Sequence, residues 1–177
     1  MPMIEFEYHG LKTQEMESVK DRISQYLKNI HARNQGFYRV IDEKIDERVK
    51  NFAKKAHYSD VVVLGIGGSA LGTICLEQSL RKQELPRLHV LDNIDPQWIS
   101  ELDSKLPYEN TLFLVVTKSG STPETLAQYF YFRNQTEKRN LNIKEHFIFI
   151  TDPKKGILRN KGEEEGITTF DVPENVG

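Results

Sequence analysis

Apolar residues in the first part of the chain recur at three- and four-residue intervals. Met16, Val19, Ile23, Tyr26, Leu27 and Ile30 fall on one stripe with charged residues between them, the spacing of an amphipathic helix. Gly36 interrupts, and Ile41, Ile45, Val49, Phe52 and Ala56 then draw a second stripe. From Asp60 the rhythm changes to short apolar runs at 61–64, 88–91, 112–116 and 147–150, with a weaker one at 167–170. Helical patterns separate them at 69–81, 96–105, 122–139 and 153–161. Strands alternating with helices predict a parallel sheet with both faces covered. The expectation is a three-layer α/β/α sandwich on a mainly parallel five-stranded sheet, preceded by two N-terminal helices. Residues 1–58 would form the helical extension and 59–177 the sheet domain. Ligands of such sheets sit beyond the carboxyl ends of the strands, so the loops there are where chemistry is sought.

Composition narrows the function classes. The 177 residues are 38% hydrophobic and 28% charged, with a formal net charge of -2, the balance of a globular protein rather than a disordered one. That charge gives no footprint for nucleic acid or an anionic membrane, so a phosphate ligand has to be held locally. The N-terminal stretch has no signal-peptide pattern, and no apolar run reaches the roughly 20 residues that span a bilayer. The single cysteine, Cys75, excludes an internal disulfide and suits a reducing cytoplasm. It lies in an apolar helical pattern and is expected to be a buried structural thiol.

Two loops stand out. Gly65-Ile66-Gly67-Gly68-Ser69-Ala70-Leu71-Gly72 follows the first strand. Its glycines let the backbone turn and approach a ligand, and the helix behind it presents unpaired N–H groups. Alone it is ambiguous: Gly65-x-Gly67-x-x-Ala70, with Asp92 ending the second strand, also satisfies a dinucleotide fingerprint. A simple packing turn is the third reading. Thr117-Lys118-Ser119-Gly120-Ser121-Thr122-Pro123-Glu124-Thr125 follows the third strand. Hydroxyls, a lysine and a helix start converge there, and a phosphate monoester accepts several hydrogen bonds at about -1.5 to -2 charge. A capping box, Ser121-x-x-Glu124 with Pro123 in the first turn, accounts for part of the motif. It does not account for Thr117, Lys118 and Ser119.

The paired Gly-Ile-Gly-Gly-Ser and Lys-Ser-Gly-Ser-Thr-Pro-Glu-Thr stretches resemble the sugar isomerase (SIS) domain, and together they resemble the bacterial-type glucose-6-phosphate isomerase family. The likeness runs from about Asp60 onward. Asp171-Val172-Pro173-Glu174-Asn175-Val176-Gly177 looks like the approach to that family's Gly-Gly-Arg-Phe-Ser motif. The resemblance implies interconversion of glucose 6-phosphate and fructose 6-phosphate, a step of glycolysis and gluconeogenesis, with no metal or organic cofactor. It places Gly68 and Ser69 at the sugar, Thr117, Lys118, Ser119 and Thr122 at the 6-phosphate, and Glu124 near the sugar as a possible auxiliary to catalysis. The family's arginine, glutamate base, ring-opening histidine and late lysine have no counterpart in these residues. The isolated chain is therefore expected to bind sugar phosphate without turnover, and a homodimer is implied for the full-length family enzyme. Two rivals are a non-catalytic sugar-phosphate-binding SIS module and, resting on the first loop alone, a nicotinamide-dependent oxidoreductase.

Other conspicuous residues read plainly. His9, His31, His57, His89 and His146 lack metal-ligand spacing and are expected to be solvated or packed. Tyr129-Phe130-Tyr131-Phe132 is expected to be part core and part surface. Glu163-Glu164-Glu165 reads as a solvated turn.

Overall fold

Strands β1 (Asp60–Leu64), β2 (Arg87–Leu91), β3 (Thr111–Thr117), β4 (Phe147–Thr151) and β5 (Thr168–Asp171) form one sheet in the order β2-β1-β3-β4-β5. All four pairings are parallel, so the sheet is wholly parallel where the sequence predicted mostly so. The computed structural model describes residues 13–33, 47–81, 86–173 and 176. Ile41, Ile45, Gly36, His9 and the Met16 side chain, all used in reading the sequence, lie outside what is described.

The chain divides into two compact units. One comprises Met1–Glu43 with Asn175–Gly177 and contains helix α1 (Thr13–Ala32). On α1 the stripe residues Val19, Ile23, Tyr26 and Leu27 are exposed. The other unit, Lys44–Glu174, holds α2 (Glu47–Lys55) and the sheet. The second helix of the sequence therefore groups with the strands.

Within the sheet unit, the alternation of side chains sorts the two faces. Val62, Leu64, Phe113, Val115, Phe147 and Phe149 point to one face. They pack with residues of α4 (Pro96–Asp103), α5 (Pro123–Lys138) and α7 (Ile157–Glu165) in a single core. Tyr129 and Phe132 of α5 are fully buried there, Tyr131 is half-buried with its hydroxyl on Asp103, and Phe130 is exposed. The aromatic run is thus divided between core and surface as its sequence suggested. Burying each such ring contributes about 1.5–3 kcal/mol. The opposite face carries Val61, Leu114, Ile148, Ile150 and Phe170 beneath α2, with a groove of about 540 Å³ between them. Helix α3 (Gly68–Leu80) lies beside Val61 and Leu88 on the same face.

Several local expectations are corrected. Cys75 is exposed, not buried, because α3 is apolar around much of its circumference and its sequence gives no inward face. Helix α7 begins at Ile157 rather than Pro153, since the Asp152 carboxylate takes the N–H groups of Lys154 (2.8 Å) and Lys155 (3.1 Å) and folds residues 152–155 into a turn. The Glu163–Glu165 run is the last turn of α7. There Glu165 pairs with Arg133 at 2.6 Å and Lys161 at 3.0 Å, tying α7 to α5. A 3₁₀ turn at Tyr108–Asn110 and the one-turn helix α6 (Ile143–His146) have no counterpart in the sequence pattern.

At the amino end of the sheet, buried Asp60 accepts hydrogen bonds from Arg87 (2.8 Å) and Ser59 (2.8 Å) and pairs with His89 Nε2 (2.8 Å). His146 is also buried, its Nδ1 2.8 Å from the Thr111 carbonyl. Both histidines have packing or pairing roles. Burial alone would raise the Asp60 carboxyl, but its partners Arg87, His89 and Ser59 hold it below the usual carboxylate range. Its contribution to stability is therefore complete above about pH 4 and is lost as pH falls through the lowered native value. In an acid titration of melting temperature, Asp60→Asn is expected to flatten the decline below about pH 4 relative to the parent protein. Superimposable acid limbs would show that the Asp60 cluster contributes nothing.

Candidate functional site

The connection from β1 leads to β2 on one side, while the connection from β3 leads to β4 on the other. Between β1 and β3 the order of the strands reverses, and a crevice opens beyond their carboxyl ends. Both loops singled out in the sequence meet at this crevice.

The first loop lies hard against β3. A Cβ on Gly65 would stand 2.8 Å from the Val116 carbonyl oxygen and 3.0 Å from Ser69 Cβ, so only glycine allows β1 to turn there without displacing its neighbour. Gly67 is the N-cap of α3 and has no side-chain cap hydrogen bond. Gly68 is exposed with open space about it, and Ser69 is half-buried in the first turn of α3.

The second loop gathers its hydroxyls tightly. Thr117 Oγ1 lies 2.7 Å from Thr122 Oγ1 and 3.4 Å from Ser119 Oγ, and Ser119 Oγ lies 3.4 Å from Thr122 Oγ1. The Ser121 N–H donates to Ser119 Oγ at 3.3 Å. Lys118 is exposed, Thr117 is buried, and Glu124 is half-buried in the first turn of α5. The expected capping box is not formed. Thr122, not Ser121, is the N-cap, and no side chain caps α5. The hydroxyl that would do so is engaged with Thr117, which local spacing could not reveal. The first-turn N–H groups of α5, the positive end of its dipole and three clustered hydroxyls therefore point to one place, an arrangement suited to an anion.

A third loop, 152–156 after β4, braces the second, and the sequence motifs did not single it out. The Asp152 N–H donates to the Lys118 carbonyl at 3.0 Å, and the Leu158 N–H donates to the Gly120 carbonyl at 3.1 Å. Asp152-Pro153-x-x-Gly156 after an apolar strand was the available signal. Among the described residues no cluster of histidine, cysteine, aspartate or glutamate could hold a metal ion, and no helix is long and apolar enough to cross a membrane.

A family profile described as phosphoglucose isomerase matches residues 12–171. The chain is 31% identical over 177 residues to a probable glucose-6-phosphate isomerase of Methanococcus maripaludis, covering 95% of this chain and 40% of that protein. It is 41% identical over 145 residues to the glucose-6-phosphate isomerase of Carboxydothermus hydrogenoformans, covering 76% of this chain and 31% of the relative. A crystal structure of a glucose-6-phosphate isomerase from Chlamydia trachomatis superposes with a TM-score of 0.62 at 29% identity, over 71% of this chain and 24% of that one. The chain thus spans two fifths or less of the length of these relatives.

Proposed function

Because this chain belongs to the phosphoglucose isomerase family, we propose that loop 117–122 binds the phosphate of glucose 6-phosphate or fructose 6-phosphate, with Gly68 and Ser69 beside the sugar. In this reading the 177 residues carry the phosphate-binding part of an aldose–ketose isomerase site. The observation that carries it is the start of α5, where Thr122 turns its hydroxyl to Thr117 and leaves the helix without a side-chain cap. Ser119 and Lys118 stand in the same loop.

The chemistry asked of the complete site is movement of a proton between C2 and C1 through an enediolate. It needs a general base and a group that offsets the developing negative charge. The residues of this chain anchor the end of the substrate remote from that carbon. Such anchoring is how binding energy from a non-reacting group is directed to the reacting one. Glu124, the one carboxylate carried over from the family resemblance, sits near the anchor as an auxiliary rather than as the base. Turnover is asked of a protein of the relatives' length, where a homodimer is also part of the reading.

Titration of the amide resonances tests the assignment. Glucose 6-phosphate and fructose 6-phosphate are expected to shift the amides of residues 117–125, with dissociation constants on the order of millimolar. Unphosphorylated glucose should leave them in place. Equal responses to glucose and glucose 6-phosphate would remove phosphate from the reading.

A further inference from the structure

We infer that Gly156, on the loop after β4, is a positioning residue for the phosphate-binding loop, acting through direct backbone interlock with Ser119 and Gly120. The inference rests on the sugar-phosphate reading of that loop and extends it to a third loop.

The geometry is specific. Gly156 has φ +103°, a conformation that side-chain-bearing residues rarely adopt. A Cβ placed on it would overlap the Ser119 carbonyl oxygen and stand 2.9 Å from Gly120 Cα. Gly120, at φ +67°, is the reciprocal half: its Cβ would stand 3.1 Å from Gly156 Cα and 2.8 Å from Thr151 Oγ1. Two glycines from the loops after adjacent parallel strands therefore meet backbone to backbone, with no side chain able to intervene on either side. Thr151 is fully buried beneath them, its hydroxyl without a hydrogen-bond partner.

Hydrogen bonds lock the two loops in register on either side of this contact. Asp152 N–H to Lys118 C=O closes one end, and Leu158 N–H to Gly120 C=O closes the other. The bracing loop is itself held in shape. The Asp152 carboxylate takes the Lys154 and Lys155 N–H groups, and Arg159 Nε donates to the Asp152 carbonyl at 2.9 Å while its guanidinium pairs with Asp171 of β5. Ser119 and Gly120 are thus placed by β4, α7 and β5 as much as by β3. The hydroxyl cluster to which Ser119 belongs works only at hydrogen-bond distances. A displacement of about an ångström takes such contacts out of hydrogen-bond range.

The test compares three variants of the full 177-residue chain by amide titration with glucose 6-phosphate and by amide hydrogen exchange. Gly156→Ala is expected to weaken binding about tenfold or more and to speed exchange at Ser119, Gly120 and Ser121. Gly166→Ala also puts a side chain at positive φ (+66°), in the milder left-handed helical region, but ends α7 away from the loops, meeting only the Lys144 side chain at 3.2 Å. It should lower the melting temperature and leave affinity unchanged. Asp152→Ala adds no atom, loosens the bracing turn and should weaken binding in the same direction, and it decides the matter if Gly156→Ala does not fold. Affinity in Gly156→Ala equal to the parent, or reduced no more than in Gly166→Ala, would overturn the inference. If the parent itself shows no binding, the sugar-phosphate reading fails instead. The interlock then stands or falls on the exchange rates at Ser119–Ser121, which unchanged values in Gly156→Ala would refute.

Discussion

Lys118→Ala is expected to weaken glucose 6-phosphate binding by about 1.5–3 kcal/mol, or roughly 10- to 150-fold, while leaving the fold intact. The size follows from losing the charge-assisted partner of a ligand that carries about -1.5 to -2 charge near neutral pH. The fold is expected to survive because the side chain is exposed and alanine retains the backbone carbonyl that accepts from the Asp152 N–H. Exposed substitutions of this kind change stability by about 0.5 kcal/mol or less. Since the phosphate's second ionisation lies near about pH 6, the loss should be larger at about pH 8 than at about pH 5. Isothermal titration of parent and variant at both pH values, with urea unfolding alongside, measures every part of this. A variant that binds as tightly as the parent but unfolds more easily would make Lys118 structural.

Phe113→Ala should destabilise the sheet unit by about 3–5 kcal/mol, the cost of removing a fully buried ring and leaving a cavity. Phe113 lies in β3 with no solvent exposure. Its ring stacks on Phe147 at 4.8 Å and meets Phe132 at 5.1 Å and Tyr108 at 5.8 Å. Those three partners come from β4, α5 and the 3₁₀ turn, so no single neighbour can move in to close the gap. Against a total stability of about 5–15 kcal/mol for a domain, the loss is large. Phe130→Ala, on an exposed ring of the same α5 cluster, is the matched control and should cost little. A urea midpoint for Phe113→Ala close to that of Phe130→Ala would show that this core is not where the stability resides.

The strands were legible because burial on two faces makes a run apolar at every position, as in Leu112-Phe113-Leu114-Val115-Val116. The two loops were legible because glycines, hydroxyls and a lysine gathered at the ends of such runs are what an anion site requires and more than a plain turn needs. What failed was decided by contacts between segments distant in sequence. The Ser121–Glu124 capping box obeyed local spacing, yet Thr117 on the preceding strand took the Thr122 hydroxyl instead. Pro153 suits a helix start, but Asp152 one position earlier claimed the next N–H groups for a turn. Cys75 sat in a helix whose sequence marks no side as inward, so its exposure was decided by where α3 docks. Short elements such as α6 carry too few residues to show a period. Asn142, which caps α6 through the Lys144 N–H at 3.2 Å, was the one residue that announced it.

The bare start of α5 has a thermodynamic consequence. A side-chain N-cap contributes about 1 kcal/mol to a helix, and α5 begins at Leu126 N–H to Thr122 C=O with no such help. The free protein therefore gives up that stabilisation in the turn immediately behind the hydroxyl cluster. An anion seated there accepts from the same N–H groups a capping side chain would have satisfied, so occupancy and the integrity of the first turn become linked quantities. Whatever the ligand contributes to the turn is recovered as resistance to unfolding, scaling with the logarithm of its concentration above the dissociation constant. On the sugar-phosphate reading, the ligand's phosphate would take the place of the missing capping residue.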